Sequence, residues 1–185
     1  MRIISGVYKG RRITAPSKLP VRPTTDMAKE ALFNILNNRY YFDDISVLDL
    51  FSGTGNISYE FASRGTEHIT AIDADYGCIR FINETAEQFE MPIDTIKSDV
   101  FKYLEQNGRT FDIIFADPPY NFEKEQFAKI PELVFQNDWL SNEGLLIVEH
   151  SKHTDLADLP NFSFSKNYGG NAFSFFEIPT ENESE

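Results

Sequence analysis

Two consecutive prolines, Pro118-Pro119, follow the apolar run Phe111-Asp112-Ile113-Ile114-Phe115-Ala116 with only Asp117 between. The run reads as a buried strand. The prolines fix φ and remove two N–H donors, so the backbone must leave the sheet there in one extended shape. The tetrapeptide Asp117-Pro118-Pro119-Tyr120 thereby presents a carboxylate, carbonyls without competing N–H groups and an aromatic ring. Such a set suits a planar group with an exocyclic –NH2: Asp117 and the Pro118 carbonyl accept the two amino hydrogens while the Tyr120 ring stacks. Asp-Pro alone reads as a rigid turn with a capping aspartate. All four residues behind a buried strand point beyond that.

A second signal lies upstream. Ser46-Val47-Leu48-Asp49-Leu50-Phe51 reads as a strand, Ser52-Gly53-Thr54-Gly55-Asn56 follows at once, and Ile57, Phe61 and Ala62 mark a short helix closed by Gly65. Strand, Gly-x-Gly and helix build a tight turn at which a ligand can approach bare backbone. The next strand, His68 to Ile72, ends in Asp73, about 20 residues past the first glycine, where an acidic residue suits ribose hydroxyls. The third glycine of the dinucleotide fingerprint is missing, with Ser58 in its place. Asp99 ends the short strand-like Thr95-Ile96-Lys97 segment before the helical Phe101-Lys102-Tyr103-Leu104. Taken singly it reads as a helix N-cap. It also suits an adenine amino group, with Val100 packing on the ring. Each of these residues follows a strand in an alternating βα series, so all are expected at the carboxyl edge of one parallel sheet.

This set resembles the class I S-adenosylmethionine-dependent methyltransferases, and the tetrapeptide is similar to those acting on exocyclic amino nitrogens. The N-terminus narrows the likeness. Arg2-Ile3-Ile4-Ser5-Gly6, Lys9-Gly10-Arg11, Arg22-Pro23-Thr24-Thr25-Asp26 and Glu30-Ala31-Leu32-Phe33-Asn34 resemble the opening of the RsmD family. These are bacterial enzymes that modify a guanine N2 in 16S ribosomal RNA. The likeness continues through Leu48 to Gly55, Ser63-Arg64-Gly65, Asn83 and Asp117 to Tyr120, ending near Glu149. Two departures stand out: Asn56-Ile57-Ser58 replaces a small residue and glycine after the turn, and Asp73 stands where Glu is frequent.

The resemblance implies an α/β, Rossmann-like class I fold. Its mostly parallel seven-stranded sheet would end in an antiparallel C-terminal hairpin, with a small N-terminal β-hairpin extension added. It implies S-adenosyl-L-methionine bound by Asp49, Gly53, Thr54, Gly55, Asp73, Ala74, Asp99 and Val100. Asp117, Pro118 and Tyr120 become the catalytic set, and Arg2, Lys9, Arg11, Arg12 and Arg22 the RNA contacts. Arg22 or Thr24 is the alternative cover for the cofactor carboxylate. The implied partner is 16S rRNA, within the assembled or assembling small subunit.

Charge is the apparent obstacle. The chain carries −12 overall, but residues 1–39 hold eight Lys and Arg against Asp26 and Glu30, a net +6 that leaves −18 on the remainder. A basic arm on an acidic body favours one defined RNA docking site over indiscriminate binding. The expected layout is a basic hairpin-and-helix extension at 1–40, a methyltransferase domain at 41–179 and a disordered acidic tail at 180–185. Within it, residues 2–14 form a hairpin, 15–24 run extended, and a helix starts after Thr25 or Asp26 with Ala31, Leu32, Ile35 and Leu36 inward. Phe162, Phe164 and Tyr168 alternate up to Gly169-Gly170, and Phe173 and Phe175 away from it, a two-residue hairpin with a core aromatic stripe. Trp139 is assigned to the core as well.

At 185 residues the chain suits a single sizeable core. No apolar run approaches the roughly 20 residues of a membrane span, and the single Cys78 fits a reducing compartment, so a cytoplasmic location is expected. His150 and His153 lack a clear third ligand, and no metal is expected.

Several rival functions share parts of this pattern. An adenine-N6 or protein-glutamine-N5 methyltransferase uses a similar tetrapeptide. Tyr120-x-x-x-Lys124 matches a short-chain dehydrogenase pair, but Pro118-Pro119 prevents helical continuity behind Tyr120. A non-catalytic RNA-binding assembly factor on a methyltransferase fold is the third.

Overall fold

The computed structural model describes residues 1–181, so the expected acidic tail falls, from 182 on, outside the described residues. The chain divides into two compact units, Met1–Val100 and the residues from Phe101 on. The first contains helix α1 (Asp26–Asn37), strand β1 (Ser46–Leu50), α2 (Asn56–Ser63), β2 (His68–Asp73), α3 (Tyr76–Phe89) and β3 (Ile93–Lys97). The short helix α4 (Val100–Leu104) leads into the second unit, which holds β4 (Phe111–Ala116), α5 (Lys124–Gln136), β5 (Leu140–Ser151), β6 (Phe162–Tyr168) and β7 (Asn171–Phe176). The sheet has seven strands in the order β3-β2-β1-β4-β5-β7-β6. β1 with β2, β2 with β3, and β4 with β5 run parallel, whereas β7 is antiparallel to both β5 and β6. The expected mostly parallel sheet with an antiparallel end is therefore present. Among the described residues no helix is long and apolar enough to cross a membrane.

Strands β1 and β4 are buried along almost their whole length, with Val47, Leu48, Leu50, Ile113 and Ile114 fully inaccessible. Near-continuous apolar runs of this kind mark parallel strands covered on both faces. The C-terminal hairpin turns at Gly169, whose φ of 60° suits a tight two-residue loop. Phe164 stacks on Phe175 with ring centroids 4.2 Å apart; Phe173 and Phe175 are buried, whereas Phe162, Phe164 and Tyr168 are half-buried, so the aromatic stripe is core on β7 and only partly covered on β6. Trp139 is core too, its indole N–H donating to the Leu104 carbonyl at 2.9 Å. β5 is longer than the apolar Leu145–Val148 segment suggests, because Leu140 pairs with Phe111 ahead of a bulge.

Two N-terminal elements differ from expectation in detail. Helix α1 starts where anticipated, with the Thr25 hydroxyl accepting from the Ala28 amide at 3.3 Å. Its inward face, however, is Ala28, Lys29, Leu32, Phe33 and Leu36, with Ala31 and Ile35 only half-buried. Phe33 packs edge-on against Phe61 of α2, 4.7 Å between centroids, and this rotates the helix towards α2. The hairpin at 2–14 has a single bridge, Arg2 to Arg12. Across it the Ile3 amide donates to the Arg11 carbonyl, the Gly10 amide to the Ile3 carbonyl and the Ile13 amide to the Met1 carbonyl, at 2.9, 2.8 and 2.9 Å. At its tip the Val7 and Tyr8 amides donate to the Ser63 carbonyl and hydroxyl at 2.8 and 3.0 Å, so the tip caps the end of α2.

Gly6 makes that approach possible. It sits at φ 88°, and a Cβ there would lie 1.9 Å from the Ser63 carbonyl oxygen. Gly6→Ala is expected to lift the hairpin from α2 and cost about 2 kcal/mol or more, seen as a fall in Tm of roughly 4 °C or more in a calorimetric scan.

Candidate active site

The first unit gathers the predicted cofactor residues at the C-terminal ends of β1, β2 and β3. The β1–α2 turn is left-handed at Phe51, Gly53 and Gly55, with φ of 54°, 54° and 90°. At Gly55 a Cβ would meet the buried Tyr59 ring at 2.7 Å, so this position needs glycine for space as well as for φ. The turn is closed by the Ser52 amide donating to the Ile72 carbonyl, and the Gly55 amide to the Ser52 carbonyl, both at 2.9 Å.

Asp73 joins this turn to the next. One carboxylate oxygen accepts from the Gly53 amide and the other from the Asp75 amide, each at 2.9 Å. Asp75 then caps α3 through the Cys78 amide at 2.9 Å. Asp73 stays partly exposed and Ala74 is exposed, which leaves acceptor capacity on the carboxylate for a diol. Asp99 is exposed at the end of β3, next to Val100, which is buried at the start of α4. Thr54 is buried, and the Ser52 hydroxyl is buried with no protein partner. A left-handed glycine turn, an orphaned buried hydroxyl and two acidic strand ends fit a nucleoside ligand carrying an amino-acid group.

Asp49 differs from the other acidic residues. It is 1% exposed and accepts from the Ser58 hydroxyl at 2.6 Å. Burial pushes its carboxyl up to about 7; the Ser58 hydrogen bond opposes this and the charge of Asp73 reinforces it. Ser58, read from sequence only as a missing glycine, is thus the polar partner of the buried acid.

The segment before α1 lies over the turn. A Cβ on Gly53 would meet Val21 at 3.1 Å and one on Gly77 would meet Leu19 at 2.8 Å. Thr24 is buried, its carbonyl accepting from the Asn56 amide group at 3.1 Å, so Asn56 fastens this segment to the first residue of α2. Arg22 is exposed, as are Arg2, Lys9, Arg11 and Arg12. Arg2 pairs with Asp26 at 3.2 Å and Arg11 lies over the Phe89 ring.

In the second unit the tetrapeptide leaves β4 as anticipated. Pro118 is buried, Asp117 half-buried, and the Tyr120 ring 89% exposed. The Phe122 amide donates to the Pro119 carbonyl at 3.1 Å, and Phe122 stacks on Phe101. Glu123 and Gln126 form a reciprocal capping box that starts α5 at Lys124. The tetrapeptide is therefore held between a strand and a capped helix. Tyr120 precedes that helix, so it and Lys124 do not share a helical face as a dehydrogenase pair must.

The His150 ring nitrogens lie 2.7 Å from the Ser151 carbonyl and 2.6 Å from the Ser174 hydroxyl. Among the described residues no group of three or more His, Cys, Asp or Glu is arranged to hold a metal ion. Sequence reasoning passed over Lys29 and Glu60, which are both fully buried. Glu60 and Arg64 at i and i+4 were the visible hint; Lys29 falls at helical spacing from Leu32, Phe33 and Leu36.

The fold is that of the Rossmann-like class of S-adenosylmethionine-dependent methyltransferases. A family model described as "Conserved hypothetical protein 95" matches residues 1–177. The Escherichia coli (strain K12) ribosomal RNA small subunit methyltransferase D is 31% identical over 189 residues, covering all of this chain and 93% of that protein. A solved Thermus thermophilus structure superposes with a TM-score of 0.82 at 25% identity, covering 96% of this chain and 99% of that one. The T. thermophilus 16S rRNA N2 G1207 methyltransferase, solved with AdoMet and guanosine, shares the fold. Its TM-score is 0.68 at 19% identity, covering 87% of this chain and 45% of that one. This chain belongs to the RsmD family, that of ribosomal RNA small subunit methyltransferase D.

The buried acid yields a pH signature. Asp49 keeps its proton to about pH 7 in the folded chain but loses it near 3.8 in the unfolded one. The folded state therefore binds more protons across that window, and stability falls as pH rises through it. Asp49→Asn mimics the protonated form. Its Tm is expected to match wild type only below about pH 3.8, and to exceed it by a margin that grows from there to about pH 7 and then levels off, measured by thermal melts of the cofactor-free protein.

Proposed function

We propose that this chain transfers the methyl group of S-adenosylmethionine to the exocyclic N2 of a guanine in 16S rRNA, acting in the cytoplasm on the small ribosomal subunit. The observation that carries the reading is the Asp117-Pro118-Pro119-Tyr120 exit from β4, with a buried first proline and a fully presented aromatic ring. The family, whose Escherichia coli member is a ribosomal RNA small subunit methyltransferase, supports it.

When bound, the cofactor supplies a sulfonium methyl group as electrophile, so the chain must contribute position and electrostatics. Gly53, Thr54 and Gly55 offer the turn that receives the cofactor, with Asp49 behind it. Asp73 accepts from the ribose hydroxyls, Asp99 accepts from the adenine amino group, and Ala74 and Val100 border the ring. Thr24, on the segment covering the turn, would cover the amino-acid end, with Arg22 as the alternative to its role at the RNA phosphates.

For the guanine, Asp117 and the Pro118 carbonyl accept the two N2 hydrogens. This turns the nitrogen lone pair out of conjugation with the ring and stabilises the positive charge that grows there. Alignment of the reacting atoms contributes roughly 7–11 kcal/mol, so no strong general base is needed. The proton displaced from N2 passes to Asp117 or to water, and the C–S bond breaks to leave a neutral thioether. Tyr120 stacks on the base, which has to be unpaired or flipped to reach it. Arg2, Lys9, Arg11, Arg12 and Arg22 neutralise backbone phosphates, while the acidic remainder of the chain repels RNA from other faces.

Methyl-labelled S-adenosylmethionine incubated with the protein and small subunits from cells lacking the activity should place label in N2-methylguanosine. Label in another base sinks the guanine assignment, and absence of cofactor binding sinks the enzymatic reading. Asp117→Ala should keep cofactor affinity within several-fold yet lose turnover by about 10²-fold or more, read in single-turnover assays. Tyr120→Ala, at an exposed position, should change stability by no more than about 0.5 kcal/mol while raising KM for the subunit.

A further inference from the structure

Helices α1 and α2 bury a charge cluster that the reaction above does not use. Glu60, in the middle of α2, is 0% exposed. Its Oε1 accepts from the Ile4 amide at 2.8 Å and lies 3.3 Å from the Lys29 ammonium. Its Oε2 accepts from the Ser5 amide at 3.1 Å and from the Arg64 guanidinium at 2.9 Å. Lys29, also 0% exposed, donates to the Arg2 carbonyl at 2.6 Å and to Asn56 at 2.9 Å. Burial pushes the Lys29 ammonium down and Glu60 pulls it back up.

Taking both ions out of water costs several kcal/mol each, and apolar side chains of equal volume would join two helices at least as well. Packing alone therefore does not account for the pair. What distinguishes it is its reach: three backbone groups, at Arg2, Ile4 and Ser5, end on these two side chains. Those groups belong to the segment carrying Arg2, Lys9, Arg11 and Arg12, whose own bonds, one bridge and the backbone pairs of Ile3, Gly10 and Ile13, join its two strands to each other. Such bonds do not fix how a short hairpin is oriented on α1 and α2, and that orientation decides where its cations point. Ordering them at the moment of binding costs affinity, and ordering them beforehand does not.

We propose that Glu60, together with Lys29, is a positioning residue for RNA docking, holding the basic hairpin in the orientation in which its cations meet phosphates. This rests on the reading of that hairpin as the docking element. Neither side chain touches RNA or cofactor in this scheme; both act through the hairpin backbone.

The test uses full-length protein and small ribosomal subunits, with four variants: Glu60→Gln, the pair Glu60→Gln with Lys29→Met, the hairpin triple Lys9→Gln, Arg11→Gln and Arg12→Gln, and the triple combined with Glu60→Gln. KM, kcat, cofactor affinity, Tm and the slope of log KM against log salt are measured for each. Glu60→Gln leaves Lys29 buried beside an uncharged partner and lowers Tm; the pair removes both charges and recovers Tm. In both, KM should rise about tenfold with kcat and cofactor affinity within threefold of wild type. The salt slope should shrink by roughly 0.7 for each phosphate that is no longer neutralised. The hairpin triple should raise KM by itself, and Glu60→Gln added to it should raise KM no further.

Recovery of KM along with Tm in the charge-free pair would mean a structural role only and would overturn the inference. So would full additivity of Glu60→Gln with the hairpin triple. A hairpin triple with unchanged KM and salt slope would remove the docking reading itself, and the inference with it.

Discussion

The two hydrogen bonds accepted by Asp73 organise the first unit's end of the sheet. One carboxylate at the end of β2 holds the amide of Gly53 in the preceding turn and the amide of Asp75 in its own. The left-handed conformation at Gly53 and Gly55 and the N-terminus of α3 are thereby set against a common reference. A carboxylate that accepts from fixed backbone donors is itself oriented, so its remaining lone pairs point in a defined direction. Preorganisation of this kind is what a nucleoside site requires, because a donor or acceptor that must first be ordered contributes less on binding.

Charge distribution supplies the second constraint. An acidic chain binds RNA in one place only if its cations are concentrated and rigid. The concentration is written in residues 1–39, and the rigidity comes from Glu60, Lys29 and Ser63, which consume the hairpin's backbone groups. The hairpin is a fixed part of the first unit rather than a free arm.

Much of the fold was legible because its signals are local. Periodicity and breakers located β1, β2, β4 and the Gly169-Gly170 hairpin, and Thr25 marked the start of α1. The tetrapeptide was legible for the same reason, since two prolines act on their own backbone and that of their neighbours. Less legible was which face of α1 turned inward. Ala31 and Ile35 are apolar and correctly spaced, yet Lys29 took the buried place because Glu60, Asn56 and the Arg2 carbonyl satisfied its ammonium. The hairpin at 2–14 was legible from its glycines, but not that its tip would cap α2 through Ser63, more than fifty residues on.

Sequence alone determined the element types, the placing of a glycine turn and of acidic or Asp-Pro-Pro-Tyr exits behind strands, and the asymmetry of charge. Each depends on residues within a few positions of one another, where sterics and hydrogen-bond geometry act without knowledge of the remaining chain. Tertiary structure alone decided which polar groups found distant partners: the buried Asp49 with Ser58, the half-buried Asp73 with Gly53, and the buried Glu60 with amides more than fifty residues away. Burial of a charge is tolerated only where partners from separate elements converge on it, and no local pattern encodes that convergence.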